Sequence, residues 1–252
     1  MQTCLDCGED MIVPTLFILG NSQPYCPVCE FKRSEATARQ EEKAKQIEQA
    51  ARIKQMKIDR YMTDSCIGRR YAGKTFADFR PINQKARENL LACKGFVQNF
   101  TTCSSEMLLL VGNTGTGKSM LAAIIGQMLI QQGFSCLHTT ALKVVRKFKD
   151  SWKSKDVTET EVLSYFIAPD LLIINEIGMQ FGSDTERQYL FEIVDDRYEL
   201  NKSTVLISNL RVTEVEEFLG DRCMDRIYEE GGVLSFDWES YRKAPTPLKV
   251  VK

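Results

Sequence analysis

No apolar run in this 252-residue chain approaches the roughly 18 residues that a membrane-spanning helix needs. The amino terminus, MQTCLDCGED, has no basic stretch followed by an apolar one, so no secretory leader is expected. Net charge is −1 and the isoelectric point about 6.0, which leaves no global basic field to attract nucleic acid; any such contact has to come from a local patch. Nine cysteines, an odd count, argue against a complete disulfide framework, and neither an internal repeat nor a low-complexity tract is present. These absences point to a cytoplasmic globular protein with no membrane partner. Its length suffices for one α/β domain of about 150–200 residues and an appendage.

Composition divides what remains. Residues 1–30 carry four cysteines and three prolines. Residues 31–62 contain neither glycine nor proline and hold nine Lys/Arg against five Asp/Glu, a strongly helical mixture of charge +4. Ala44, Ile47, Ala51, Ile58 and Tyr61 follow a spacing of three to four, broken at Lys54. So narrow a stripe suits a helix that meets one partner, or a solvated spacer helix. From about residue 106, strand and helix alternate: strands near 107–111, 135–140, 171–175, 204–208 and 233–237, helices near 119–132, 141–153, 158–168 and 185–200. That alternation implies a five-stranded parallel sheet between helices. His138, the single histidine, falls in the second strand and is read as structural. The expected domains are 1–30, 31–65 and 66–252.

The stretch Gly112, Asn113, Thr114, Gly115, Thr116, Gly117, Lys118, Ser119 fits G-x-x-x-x-G-K-[ST] and sits between the first strand and its helix. Glycines at 112, 115 and 117 let backbone N–H groups converge on a β-phosphate, and the helix N-terminus adds its dipole. Lys118 would bridge the β- and γ-phosphates, and Ser119 Oγ would ligate Mg²⁺. The second acidic strand ends in Asn175–Glu176, where a nucleotide hydrolase usually places two acids. Glu176 keeps the general base. Asn175 has lost the charge of the expected Asp, though its carbonyl oxygen is expected to accept from a magnesium-bound water. One unit charge about 4 Å from a cation is worth roughly 4 kcal/mol at an effective dielectric near 20. Retained ATP binding, a weaker metal hold and slow hydrolysis are therefore expected.

Two further clusters carry chemistry. CLDC and CPVC place Cys4, Cys7, Cys26 and Cys29 as two C-x₂-C pairs, a spacing that suits tetrahedral Zn²⁺ better than a redox pair. With little apolar sequence nearby, the metal would supply this module's folding energy. Residues 142–155, LKVVRKFKDSWKSK, hold six Lys/Arg against one Asp, with Phe148 and Trp152 four apart. Cations beside aromatics suit single-stranded nucleic acid. The same pattern also fits an amphipathic helix whose aromatics are core.

Taken together, the phosphate loop, NEIG (175–178), EIVDDR (192–197), GDRCMDRI (220–227) and FDWESYR (236–242) resemble the DnaC-type helicase loaders of the AAA+ class, over roughly residues 67–242. The resemblance implies an AAA+ core without a full lid domain, only ten residues following Arg242. It implies that Asn209 positions the lytic water, that Arg226 is an arginine finger acting in trans on a neighbouring subunit's γ-phosphate, and that Arg242 is the second sensor. A guanidinium so placed neutralises charge spread over γ-phosphate oxygens. The resemblance also matches Lys149 and Trp152 to DNA-contacting positions, and Arg146 and Lys153 of the same basic stretch are expected to join them, with Phe148 free to pack inward. The cysteine module departs from DnaC of enteric type and is similar to the zinc-bearing N-terminal domain of DnaI-type loaders. In both, the N-terminal part grips the hexameric DnaB-type replicative helicase, a role expected here of residues 1–62. An IstB-type transposition helper and a non-hydrolytic ATP-binding adaptor are the alternatives.

Overall fold

A computed structural model describes residues 3–12, 26–101, 106–154, 156–178 and 184–243. Two compact units divide the chain, Met1–Met56 and Lys57–Lys252. In the first, a short bridge pairs Thr3 with Asp10 around a turn closed by the Gly8 N–H donating to Cys4 O at 2.9 Å. Helix α1 (Pro27–Asp64), within which the division falls, starts on a proline, whose missing N–H costs nothing at a first helical position. It buries no residue, and Ile47, Ile53 and Met56 stand exposed.

The second unit is built on a sheet of β1 (Met107–Gly112), β2 (Cys136–Thr140), β3 (Leu171–Ile177), β4 (Ser203–Ser208) and β5 (Gly231–Phe236). Their order is β2-β3-β4-β1-β5, all parallel. The consecutive apolar residues follow from burial on both faces. Leu108 and Leu110 point into one cluster, with α2 (Gln84–Asn99) and α3 (Lys118–Gln132). Leu109 and Val111 point into the other, with α4 (Ala141–Ser151), α5 (Glu159–Ile167), α6 (Asp184–Glu199), α7 (Val212–Leu219) and α8 (Asp221–Glu230). Ile58, Tyr61 and Met62, from the end of α1, pack against the first cluster.

The five strands and the helices α3 to α6 match the sequence-based expectation. Helices α2, α7 and α8 carry weaker signals. Helix α2 is capped by Asn83, whose side chain accepts the Ala86 N–H at 2.7 Å, while α7 and α8 are short and meet at Gly220, φ 77°. Residues 244–252, most of the segment judged too short for a lid, lie outside the described residues, as does Lys155 at the end of the basic stretch.

Arg197, in the last turn of α6, is fully buried among carbonyls. Its guanidinium donates to the carbonyl oxygens of Phe166, Ile167, Pro169, Asp170 and Ser203 at 2.5–3.3 Å, and its Nε to Thr204 Oγ1 at 3.0 Å. This one cation ties the end of α5 and the entry to β3 onto the start of β4. Five donors in a rigid fork are what such a cluster of carbonyls requires.

Candidate functional site

The loop Gly112–Ser119 leaves the carboxyl end of β1, beside the ends of β3 and β4, where open parallel sheets bind ligands. Gly117 caps α3 at φ 99°, and a Cβ there would lie 2.6 Å from the Phe79 ring, so no other residue fits. Lys118 is buried, and its ammonium donates to the Gly112 and Asn113 carbonyls at 2.6 and 2.7 Å. Burial pushes its pKa down to about 8. A phosphate there would offset that desolvation. Asn113 serves structure: its backbone N–H donates to Phe236 O at 2.8 Å, and its amide to the Asp237 and Trp238 carbonyls. Thr116 is buried, with its hydroxyl donating to Asn113 O at 2.7 Å.

The register between β3 and β4 slips between Ile174 and Ile177: Ile174 pairs with Leu206 and Ile177 with Ser208, so β3 carries one extra residue. The bulge takes Asn175 and Glu176 out of the β3–β4 ladder, with Glu176 at φ 65° and exposed to solvent. A left-handed non-glycine residue costs on the order of 1–3 kcal/mol, which the surrounding strands sustain. The Glu176 N–H donates to Asn175 Oδ1 at 3.0 Å, and this sets which way the amide faces: Nδ2 donates to Ser119 Oγ at 3.1 Å. One of the two lone pairs on the Asn175 oxygen is thus taken by the backbone N–H of Glu176. A carboxylate would accept from both neighbours; the amide instead presents N–H to Ser119 and occupies a lone pair of the hydroxyl.

A cavity of about 530 Å³ opens over these groups. Thr114, Gly115, Gly117, Lys118, Ser119, Asn175, Glu176, Asn209 and Arg242 line it, so four separate segments converge there. The remaining wall was not anticipated: it is formed by Arg70, Tyr71, Lys74, Asp78, Phe79 and Arg80, ahead of α2, and by Tyr241. Arg70 lies over the Tyr71 ring at 4.5 Å, and Lys74 pairs with Asp78 at 3.0 Å. The N–H of Thr75, foremost, and Lys74 hold the Asp78 carboxyl down to about 2. Tyr241 joins the two sides, its N–H donating to Gly115 O at 3.0 Å and its hydroxyl to Arg80 O at 2.7 Å.

The sequence pattern of the IstB-like ATP binding proteins matches residues 33–247, most of the chain. The chain belongs to that family. Among its relatives, the replicative helicase loader DnaC of Buchnera aphidicola subsp. Baizongia pistaciae is 33% identical over 192 residues, covering 75% of this chain and 78% of that one. The crystal structure of the DnaC helicase loader superposes with a TM-score of 0.60 at 22% identity, over 68% of this chain and all of that one. The crystal structure of DnaI superposes at 0.58 and 18% identity, over 69% of this chain and 94% of that one. The family match gives an ATP-binding protein, and the two superpositions give the same fold, a parallel sheet between helices.

Within this IstB-like protein, one of the four expected catalytic side chains sits elsewhere. Arg226 does not line the cavity; on α8 it is buried, pairs with Asp195 and with Glu199 at 3.6 Å, and lies 4.6 Å over the Tyr198 ring. Arg146, Lys149, Trp152 and Lys153 are all exposed along and just beyond α4. The Trp152 indole N–H donates to the Glu159 carboxylate. Phe148 is core, stacked on Tyr189 at 4.0 Å.

The four cysteines of the two C-x₂-C pairs lie outside the residues matched by the family pattern. The sulfurs of Cys4, Cys7, Cys26 and Cys29 fall within 4.8 Å of one another, with Cys4–Cys29 at 3.7 Å and Cys7–Cys26 at 3.3 Å. Tetrahedral zinc with bonds of about 2.3 Å sets sulfurs about 3.8 Å apart, so the donor set fits. Backbone N–H groups of Asp6 and then Cys7 lower the Cys4 thiol to about 7, whereas the neighbouring thiols of Cys7 and then Cys4 raise Cys29 to about 12. Four thiols so close resist joint ionisation, and a divalent cation relieves that opposition.

Proposed function

We propose that this protein is a replicative helicase loader, an ATP-dependent AAA+ protein that binds a hexameric DnaB-type helicase and assists its loading onto single-stranded DNA. The observation that carries the reading is the kinship with proteins named replicative helicase loader DnaC, at 33% identity across three quarters of the chain. It is supported by a cavity in which the phosphate loop meets Glu176, Asn209 and Arg242.

In this reading the loop N–H groups and Lys118 bind the phosphates, and Glu176 accepts the proton of the attacking water. Asn209 orients that water, and Arg242 contacts the γ-phosphate. Ser119 Oγ would hold Mg²⁺, which would supply positive charge to the phosphates. Because Asn175 turns N–H toward Ser119, metal hold and turnover are weak, and Asn175→Asp raises both. Arg226 completes the site of a neighbouring subunit in trans, exchanging Asp195 and Glu199 for a γ-phosphate as subunits assemble. The exposed face Arg146, Lys149, Trp152, Lys153 contacts single-stranded DNA. Residues 1–62, organised by zinc on Cys4, Cys7, Cys26 and Cys29, hold the helicase.

Mass photometry of the full chain with a hexameric replicative helicase and ATP–Mg²⁺ tests this. The hexamer should gain loader subunits, and a Cys4→Ser/Cys29→Ser chain should not add any. A protein that ignores the cognate helicase and instead assembles on duplex DNA would be a transposition helper. Tight ATP binding with no turnover, even with helicase and DNA present, would make it an adaptor.

A further inference from the structure

Gln127 is a buried polar side chain on α3, the helix that begins at the phosphate loop. Both ends of its carboxamide are used. Oε1 accepts the Gly73 N–H at 2.9 Å, while Nε2 donates to Tyr71 O at 2.9 Å and to Ala123 O, one turn back, at 3.2 Å. These lengths are those of well-formed bonds. The turn it grips is also closed by the Lys74 N–H donating to Tyr71 O at 3.0 Å, and it passes through Gly73 at φ 71°. A planar group with one acceptor and one donor edge suits a turn that offers an N–H and a carbonyl side by side.

The position of that turn matters because Arg70, Tyr71 and Lys74 form part of the cavity wall. The phosphate loop accounts for the phosphates of a nucleotide. The remainder of the ligand, base and ribose, is left to the wall outside the loop. Two segments about forty residues apart in sequence thus have to hold a set separation, and Gln127 is bonded to one while standing on the helix that issues from the other.

We infer that Gln127 is a positioning residue for nucleotide binding, fixing the Tyr71–Gly73 turn to the phosphate-loop helix so that base and phosphates are gripped together. This rests on the ATP reading above. It assigns Gln127 no contact with the reacting atoms, so removing it acts on affinity and not on the chemical step.

Full-length Gln127→Met and Gln127→Glu chains test the inference. Affinity for ATP and for inorganic tripolyphosphate is read by competition against a fluorescent nucleotide, alongside KM and kcat. Loss of buried partners should raise the Kd and KM for ATP about tenfold, with kcat and tripolyphosphate affinity within about twofold of wild type. A folded variant that binds ATP like wild type overturns the inference. So does an equal loss for ATP and tripolyphosphate, which would mean that the phosphate loop itself is disturbed. Should neither variant fold, amide exchange in the wild-type chain decides: residues 71–74 must slow with ATP and not with tripolyphosphate, and equal or absent slowing sinks the idea. A wild-type chain that binds tripolyphosphate but no ATP overturns the ATP reading and this inference with it.

Discussion

The cysteine unit and the sheet unit reach order by opposite means. Around Cys4, Cys7, Cys26 and Cys29 the described residues bury almost nothing apolar: Cys26 is the one core residue there, and α1 buries none. The sheet unit buries two layers of aliphatic side chains, with Leu109, Leu110, Ile124, Ile173 and Ile193 wholly inaccessible. Each such side chain contributes about 1.5–3 kcal/mol, and the described residues of the cysteine unit have no equivalent source. In the proposed reading one unit depends on four sulfurs and a cation, the other on area removed from water. A unit held by few strong bonds fails when one condition changes; a unit held by many weak contacts loses stability in steps.

The largest expected effect breaks the first unit alone. Stripping the metal with a chelator removes a free energy on the order of 10–16 kcal/mol from a structural zinc site. Proteolysis within residues 1–30 and loss of helicase binding should follow, while the thermal transition of the sheet unit stays in place. A chelated protein whose N-terminal residues remain protease-resistant would show that the cysteines are not its source of order.

Next in size is Arg197→Met, which breaks only the second unit. It leaves the carbonyls of Phe166, Ile167, Pro169, Asp170 and Ser203 without their donor, at a cost of about 3–5 kcal/mol in denaturant unfolding. Zinc content should not change. Arg197→Lys recovers little, because an ammonium cannot span the same fork of acceptors.

Acid gives the smallest effect and weakens both units for different reasons. Burial, with Lys143 and Arg70 nearby, holds His138 down from 6.5 to about 4. A folded-state value below the unfolded one means that this contribution is complete above about 6.5 and is lost as pH falls toward 4. The sheet unit's melting temperature should therefore decline through that window, and His138→Leu should flatten the decline. Zinc release over acid pH, caused by protonation of the thiolates, should be the same in that variant.

Legibility followed the local character of each signal. The phosphate loop could be read at once because its chemistry occupies eight consecutive residues, and the strands because burial on both faces makes them continuously apolar. The cysteine pairs were equally plain in their spacing. Arg197 could be quoted as part of a motif, yet nothing in EIVDDR indicates that its partners are carbonyls some thirty residues away. The wall from Arg70 to Arg80 and its tie to Gln127 gave no signal, since a glutamine on an apolar helix has the same appearance whether it faces water or a turn. Asn175 was recognised as an anomaly, but the direction of its amide depends on the Glu176 N–H exposed by the bulge.

The order of strands and helices, the phosphate loop and the four thiols were determined by the sequence itself, because each rests on period, adjacency or spacing along the chain. Which face of Asn175 meets Ser119, which wall closes the nucleotide cavity, and where Arg226 rests were decided only by tertiary structure. Each depends on groups distant in sequence that burial brings within hydrogen-bonding reach, where a polar atom removed from water has to find a partner.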